Sequence, residues 1–524
     1  MAFVLLVLAY LATHLYGLLE LPVFADEAIY IRWAQLIIDE PARYFFFSMN
    51  DGKTPLFFWL LTPFQFMFDD QLFAARIVSV LTGLMQMVVI MRITGLLTKN
   101  KKTQYVAGLL VMILPFWFFH HRMALTDGLL TVMISVSIFF LIREITQQSS
   151  IKKLSITSLF GLLKKKQTFF NVFMAGIFFG LALYAKIPAI LFVPSLFLLI
   201  FLVRQKSTNA LLLAASKVFV SFSIGMGMFL ALSFVPSFSQ LFGRGSDFLF
   251  PLSEVLAGKW KETIVGLPVY AGYFFSYMTP TVILFMVLGL FGKKNKTIVH
   301  IFFWSGLLYV LPVGIMGRMV YARYLFPAVL LFTLASVFAI EDLFVWSKQF
   351  SKKIVLYIVF SSFLVLLLAN TIATSAVFIV AAVTNHRQIP FVSSDAVQYL
   401  TEWSSGHGLY ETSQLLKAES RNKTIAVATE GYFGSLPDGL NLYFHRRDVS
   451  NISIDGVGYP VGGIPEKFAQ NARKFERKWL VVNSHRNNLN LDEKYLLREY
   501  CRPFKAPCLQ VWDITDVFED LVVR

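Results

Sequence analysis

Apolar runs of about 17–25 residues, the length a helix needs to cross the hydrocarbon core of a bilayer, recur from the first residue to about residue 383 and then stop. They predict spans near 1–19, 72–92, 105–119, 128–142, 169–184, 187–203, 218–236, 271–291, 298–316, 323–340 and 354–383, eleven in all. Between the first two, Ile29, Trp33, Leu36 and Ile37 recur at helical spacing, with Arg32, Gln35 and Asp39 largely on the other side. That pattern predicts a helix lying along the membrane interface. The apolar stretch "PLFFWLLTPFQFMF" after Lys53 contains two prolines and is too short to span comfortably, so it predicts a second interfacial or re-entrant helix. Residues 384–524 follow another pattern, with strand-like "KTIAVAT" and "KWLVVN" and helical stretches around "SDAVQYLTEWSS" and "IPEKFAQNARKFERK". The predicted fold class is therefore an all-α polytopic membrane domain over 1–383 followed by a small soluble α/β domain over 384–524.

Composition agrees: 56% of the 524 residues are hydrophobic, 54 of them Phe, and the mean hydropathy is +0.63. The net charge of +15 raises nucleic acid as a partner until the cations are located. Lys99, Lys101 and Lys102; Arg143, Lys152, Lys153, Lys164, Lys165 and Lys166; Arg204 and Lys206; Lys293, Lys294 and Lys296; and Lys348, Lys352 and Lys353 fall in alternate loops. By the positive-inside rule those loops are cytoplasmic and the charge sets topology, so no nucleic-acid partner is expected. With the N-terminus inside, an odd number of spans puts the C-terminal domain outside, together with residues 20–71. The first apolar run lacks a basic leader and a small-residue cleavage site and reads as a retained span. The two cysteines, in "CRPFKAPC", lie in the outside domain, where a structural disulfide and two free thiols are both open. "GVGYPVGGIP" follows no strand pattern and opens no helix, so it reads as a loop rather than a dinucleotide fingerprint.

Most mixed charge lies at the outer ends of the spans. In "LPVFADEAIYIRWAQLI", Asp26 precedes a helical pattern. It reads as an N-cap with Glu27 in the first turn, or as a partly desolvated carboxylate suited to be the general base for an acceptor hydroxyl. Lys53 in "DGKTPLFFWL" either snorkels to the headgroups or holds a lipid phosphate. In "HHRMALTDGLL", Arg122 and Asp127 either pair or cap the next helix, and His120 and His121 offer metal ligands as a lesser option. Lys186 in "LYAKIPAILFVP" sits where two apolar runs meet with almost no loop, and a charge at that depth marks function. "RMVYARYLFPAVLLF" places Arg318, Arg323 and Tyr324 at an outer end, where arginine is disfavoured by topology.

In this order, "ADEAIY", "GKTPL", "RMALTDGLL", "LYAKIPAILFVP" and "RYLFPAVL" resemble the integral-membrane glycosyltransferases of the GT-C fold. The nearest likeness is to the branch of the lipid A aminoarabinose transferase and the protein O-mannosyltransferases. The resemblance implies an enzyme of the cell envelope that moves a sugar from a polyprenyl-phosphate carrier to an extracytoplasmic lipid, glycan or protein. It implies that Asp26 activates the acceptor with Glu27 in support, that Lys53, Lys186 and Arg323 bind the donor phosphate, and that Arg122, Asp127 and Tyr324 assist. Direct displacement inverts the anomeric centre, and no cofactor is required. A divalent metal stays open, because the transferase pattern has Glu directly before the Lys, whereas this chain has Gly52, with Asp51 one further back. The expected surroundings are a lipid-linked donor and the bilayer of the inner or plasma membrane. A transporter or flippase of a lipid-linked glycan is the competing class, but it would place ionisable residues near mid-membrane. Glycan ligation or polymerisation competes among enzymes.

Overall fold

The computed structural model describes residues 1–146, 165–203, 207–261, 267–348, 354–445 and 451–523. Lys152, Lys153, Lys164, Arg204, Lys206, Lys352 and Lys353 lie outside the described residues. Among the described residues seven helices are long and apolar enough to cross a membrane: Gln71–Leu97, Thr126–Ile145, Lys166–Ala185, Thr208–Phe234, Lys296–Met316, Ala322–Ser347 and Ile354–Thr384. An eighth is reached if the pair Pro268–Tyr277 and Pro280–Gly289, bent by 104°, is one span.

The expected eleven is therefore not reproduced by length and composition, and proline accounts for most of the difference. The run expected at 105–119 breaks at Leu114, where Pro115 opens a new helix. The run at 187–203 becomes a chain of short helical turns with Pro188 and Pro194 at their starts. The run at 271–291 is broken at Thr279, directly before Pro280. Proline has no amide hydrogen to donate and fits only the first turn of a helix. The first helix, Ala2–Leu15, is simply short.

The chain forms two compact units that do not follow sequence order. The first comprises Met1–Tyr16, Phe45–Phe57 and Ser79–Val380. In it the helix Lys166–Ala185 packs against both Thr126–Ile145 and Thr208–Ala231. Gly176 and Gly225 let the helices Lys166–Ala185 and Thr208–Ala231 touch: a β-carbon on Gly225 would lie 2.9 Å from the Gly176 carbonyl oxygen, the close approach small residues permit in a bilayer. The same three helices share a buried ion pair, Lys217 Nζ to Glu144 Oε1 at 2.7 Å, with Asn171 donating to the other carboxylate oxygen at 2.9 Å. The helix Phe326–Ser347, buried along most of its length, packs on Lys296–Met316 and Pro280–Gly289.

The second unit comprises Gly17–Tyr44, Phe58–Val78 and Ala381–Arg524. Its strands are β1 (Ile425–Glu430), β2 (Ile452–Gly458), β3 (Ile464–Pro465), β4 (Arg477–Asn483), β5 (Leu496–Cys501), β6 (Cys508–Asp513) and β7 (Val522–Val523). The main sheet runs β2-β1-β4-β6-β5, parallel across the first three and antiparallel across the last two pairings, and β3 pairs with β7. Central β1 is buried at every position, as a parallel strand covered on both faces should be. Ala426, Ala428, Leu480, Val482 and Trp512 form one face of its core, closed by Phe468, Ile514 and Phe518. Cys501 and Cys508 face each other across β5 and β6 and are disulfide-bonded, which resolves the alternative left by the sequence.

The amphipathic helix of the first outer segment, Ala25–Asp39, belongs to this second unit. It packs on the short helix Asp438–Asn441. Gln35 Nε2 donates to the Leu442 carbonyl at 3.1 Å, and the Ala25 amide donates to the Ser404 carbonyl at 2.9 Å. Tyr30 and Trp33 set their rings edge-on to Phe58. Its apolar side is thus covered by protein.

Candidate active site

The acidic pair lies in the first turn of Ala25–Asp39, but the N-cap is Phe24, in extended conformation, and not Asp26. The capping reach is made by Glu27, whose Oε2 accepts the Phe24 amide at 3.0 Å, the carboxylate half of a capping box. Arg76, from the start of Gln71–Leu97, meets the same carboxylate as a fork, Nε to Oε1 at 2.9 Å and Nη2 to Oε2 at 2.7 Å. The remaining Arg76 donors go to the carbonyls of Leu18 (2.9 Å), Leu21 (2.7 Å) and Pro22 (3.0 Å). Both side chains are fully buried. Glu27 therefore holds the turn, and Asp26 beside it is half-buried. Arg76 escaped the sequence reading because it sits inside an apolar run; an arginine within such a run was the available signal.

In the first unit, four of the expected residues come together. Lys186 caps the end of Lys166–Ala185 in extended conformation, and its ammonium reaches Asp127 Oδ1 at 2.7 Å. Asp127 is in the first turn of Thr126–Ile145 and is buried, whereas Lys186 keeps about a quarter of its side chain exposed. The same ammonium lies 4.6 Å from the centre of the Tyr324 ring. Arg323 is buried, with its guanidinium 5.6 Å from that ring and 5.4 Å from the ring of Tyr321. The Tyr309 hydroxyl donates to the Tyr324 carbonyl at 3.4 Å. The Tyr324 ring thus has two cations near it, and Asp127 is paired with one of them, Lys186. Tyr309 and Tyr321 complete this group and were missed because tyrosines at span ends are common interfacial anchors.

Lys53 joins a different cluster. It pairs with Asp51, which also pairs with Arg244, and Arg244 Nε meets Asp247 at 3.0 Å. Gly52 ends the short helix Phe47–Asp51 in the left-handed conformation, φ +73°, where glycine is favoured. A carboxylate between two cations is a poor metal ligand, and Gly52 supplies none, so the donor set at this position does not fit a divalent ion. Among the described residues, the one trio of ligating side chains close enough for an ion is Glu499 with the disulfide-bonded Cys501 and Cys508. His120 is buried against Phe116 and Phe326, with its Nδ1–H donating to the Phe116 carbonyl at 2.8 Å. Arg122 donates to the carbonyls of Thr13 (3.2 Å), His14 (2.9 Å) and Tyr16 (2.8 Å), closing the C-terminal end of Ala2–Leu15. That is a helix-capping role.

Residues 52–234 match the family model described as dolichyl-phosphate-mannose-protein mannosyltransferase, a stretch that contains Lys53, Arg122, Asp127 and Lys186. No curated protein matches the chain at a significant level. Among solved structures, ArnT from Cupriavidus metallidurans in the apo state is 13% identical with a TM-score of 0.56, covering 97% of this chain and 98% of that one. The same protein bound to undecaprenyl phosphate gives a TM-score of 0.54 at 13% identity, with the same coverage of both chains. The apo oligosaccharyltransferase of Archaeoglobus fulgidus gives 0.52 at 11% identity, covering 92% of this chain and 69% of that one. The protein is a multi-pass membrane protein of the GT-C fold, and its residues 52–234 are similar to the dolichyl-phosphate-mannose-protein mannosyltransferase family model.

Proposed function

We propose that the protein is an inverting glycosyltransferase that moves a sugar from a polyprenyl-phosphate carrier to an acceptor outside the cytoplasm. The observation that carries this reading is the Lys186–Tyr324–Arg323 group, with Asp127 paired to Lys186, in a GT-C fold. It brings two cations to one tyrosine ring and leaves the Lys186 ammonium partly exposed, which suits the phosphate of a lipid-linked donor. In support, the ArnT structure of the same fold holds undecaprenyl phosphate.

The chemistry asks for two things. Asp26 accepts the proton of the acceptor hydroxyl as its oxygen bonds to the anomeric carbon. The bond from that carbon to the phosphate oxygen breaks, and the phosphate leaves with its lipid, its growing charge met by Lys186 and Arg323. Glu27 and Arg76 position the turn that carries Asp26. Lys53 is the third proposed donor-binding cation, while Arg122 and Asp127 act in support, the first by closing Ala2–Leu15 and the second by fixing Lys186.

The test starts with mass spectrometry of lipid-linked sugars that accumulate in a deletion strain, which identifies the donor. The purified protein in nanodiscs is then supplied with that donor. Asp26→Asn is expected to lower transfer by about a hundredfold or more with an unchanged melting temperature; retained transfer would sink the base assignment. The double change Lys186→Met with Arg323→Met is expected to weaken donor binding at least about tenfold, and unchanged donor affinity would remove the clamp.

A further inference from the structure

The loops at the carboxyl edge of the soluble sheet take no part in the proposed transfer chemistry. From β1 the chain leaves to β2 on one side, and from β4 it leaves towards β5 and β6 on the other. Connections that diverge in this way open the position where α/β sheets take ligands. Glu430, the last residue of β1, is buried there. Its carboxylate accepts the Asn483 amide (2.8 Å), Asn483 Nδ2 (2.6 Å) and Arg486 Nη1 (3.4 Å). The Arg486 guanidinium lies 4.6 Å from the centre of the Trp403 ring and 4.8 Å from that of Tyr459. The Asn483 side-chain carbonyl, at the end of β4, is buried without a hydrogen-bond partner among the described residues.

Beside this polar group three aromatic side chains stand in solvent: Tyr432 is 68% exposed, Phe433 60% and Tyr459 64%. They sit in "EGYFG" and "GVGYP", the segments that leave the ends of β1 and β2, tied together by the Gly431 amide donating to the Gly458 carbonyl at 3.0 Å. Gly431 and Gly458 both have positive φ, a conformation that fixes the adjacent tyrosines at the edge at little steric cost to glycine. Clustered exposed aromatics mark a recognition surface. Aromatic faces carry negative potential and attract the polarised C–H face of a sugar ring. Tyrosine hydroxyls and a guanidinium set near two rings supply hydrogen bonds to sugar hydroxyls.

We propose that this edge binds a pyranose-containing glycan, which makes the acceptor of the transfer reaction a saccharide. Only the word acceptor rests on the glycosyl-transfer reading; binding itself does not.

The test uses the full chain in nanodiscs, without donor, and hexasaccharides of mannose, glucose, galactose and N-acetylglucosamine read by saturation-transfer NMR. At least one is expected to bind, and Tyr432→Ala with Tyr459→Ala is expected to weaken it about tenfold or more without lowering the melting temperature. Arg486→Lys, which keeps the charge but loses the planar five-donor guanidinium, is expected to weaken it as well. Binding to none of the four, or binding unchanged in the double variant, overturns the proposal. A bilayer is the other occupant such aromatics fit. A fluorophore on Phe433→Cys quenched by lipid-borne quencher would assign the edge to the membrane and overturn the glycan reading. Because this assay contains no donor, glycan binding by a chain that shows no transfer in the separate assay with donor would overturn only the catalytic reading.

Discussion

Glu27 gives both carboxylate oxygens to Arg76 and one of them also to the Phe24 amide, and this division of labour leaves Asp26 as the acid of the pair with exposed surface. Removing one partner of a buried, forked ion pair strands the other charge. Arg76→Met is therefore expected to destabilise the protein by about 3–5 kcal/mol, read as a fall in melting temperature, with loss of transfer following from misplacement of Asp26. A variant as stable as the parent would show that Glu27 finds other partners. Lys186 is the reverse case: its partner Asp127 is the more buried of the two, so the lysine is the member that faces outward.

At the scale of elements, two turns decide how the chemistry is presented. Gly52 closes the helix Phe47–Asp51 at φ +73°, and a β-carbon there would meet nothing closer than the Leu241 carbonyl oxygen at 3.5 Å, so the conformation and not crowding restricts this site. Gly52→Ala is expected to cost about 1–2 kcal/mol and to displace Lys53; an unaltered melting temperature would show that the turn can relax. Asp438 starts the turn on which Ala25–Asp39 rests, and burial pushes its carboxyl up to about 6, against a hydrogen bond from the Gly434 amide and the charge of Arg32. A carboxyl raised above its unfolded pKa stabilises the fold fully below that unfolded value and loses the contribution as pH rises through the folded one. The parent is thus expected to lose stability between about pH 4 and about pH 6 relative to Asp438→Asn, whose amide oxygen can still accept from Gly434. Parallel melting-temperature curves for the two proteins across that window would remove the assignment.

For the whole molecule, the distribution of lysine and arginine predicts a cytoplasmic N-terminus and an outside C-terminal segment. Cys501 is exposed, and with Cys508 it forms the one disulfide of a chain that has two cysteines. Intact cells treated with an impermeant reductant are expected to label at Cys501 with an impermeant maleimide, and labelling only after permeabilisation would reverse the topology. The bridge itself closes a short loop between paired strands, so reduction is expected to lower stability by less than the roughly 3 kcal/mol typical of longer loops.

The membrane character, the seven long apolar helices, the α/β character of the tail and most of the chemical side chains were legible in the sequence. Each follows from hydropathy or residue type along a local stretch, and the free energy of placing a residue in lipid is largely local. The breaks at Pro115, Pro188, Pro194 and Pro280 were visible as residues, but whether a proline kinks a span or ends it depends on what satisfies the freed carbonyls. Partnership was not legible: Arg122 reads as a companion of Asp127 but caps Ala2–Leu15, Asp127 pairs with Lys186 instead, and Arg76 claims Glu27 from 49 residues away. Nor did the sequence show that the strands of the tail and the helix bearing Asp26 belong to one compact unit. Hydropathy is a property of each residue where it stands, so the chain alone determined what is buried in lipid and which side chains can carry charge. Hydrogen bonds and ion pairs are properties of residues far apart in sequence, so only the tertiary structure decided which charges pair with which, as Arg76 with Glu27 and Lys186 with Asp127.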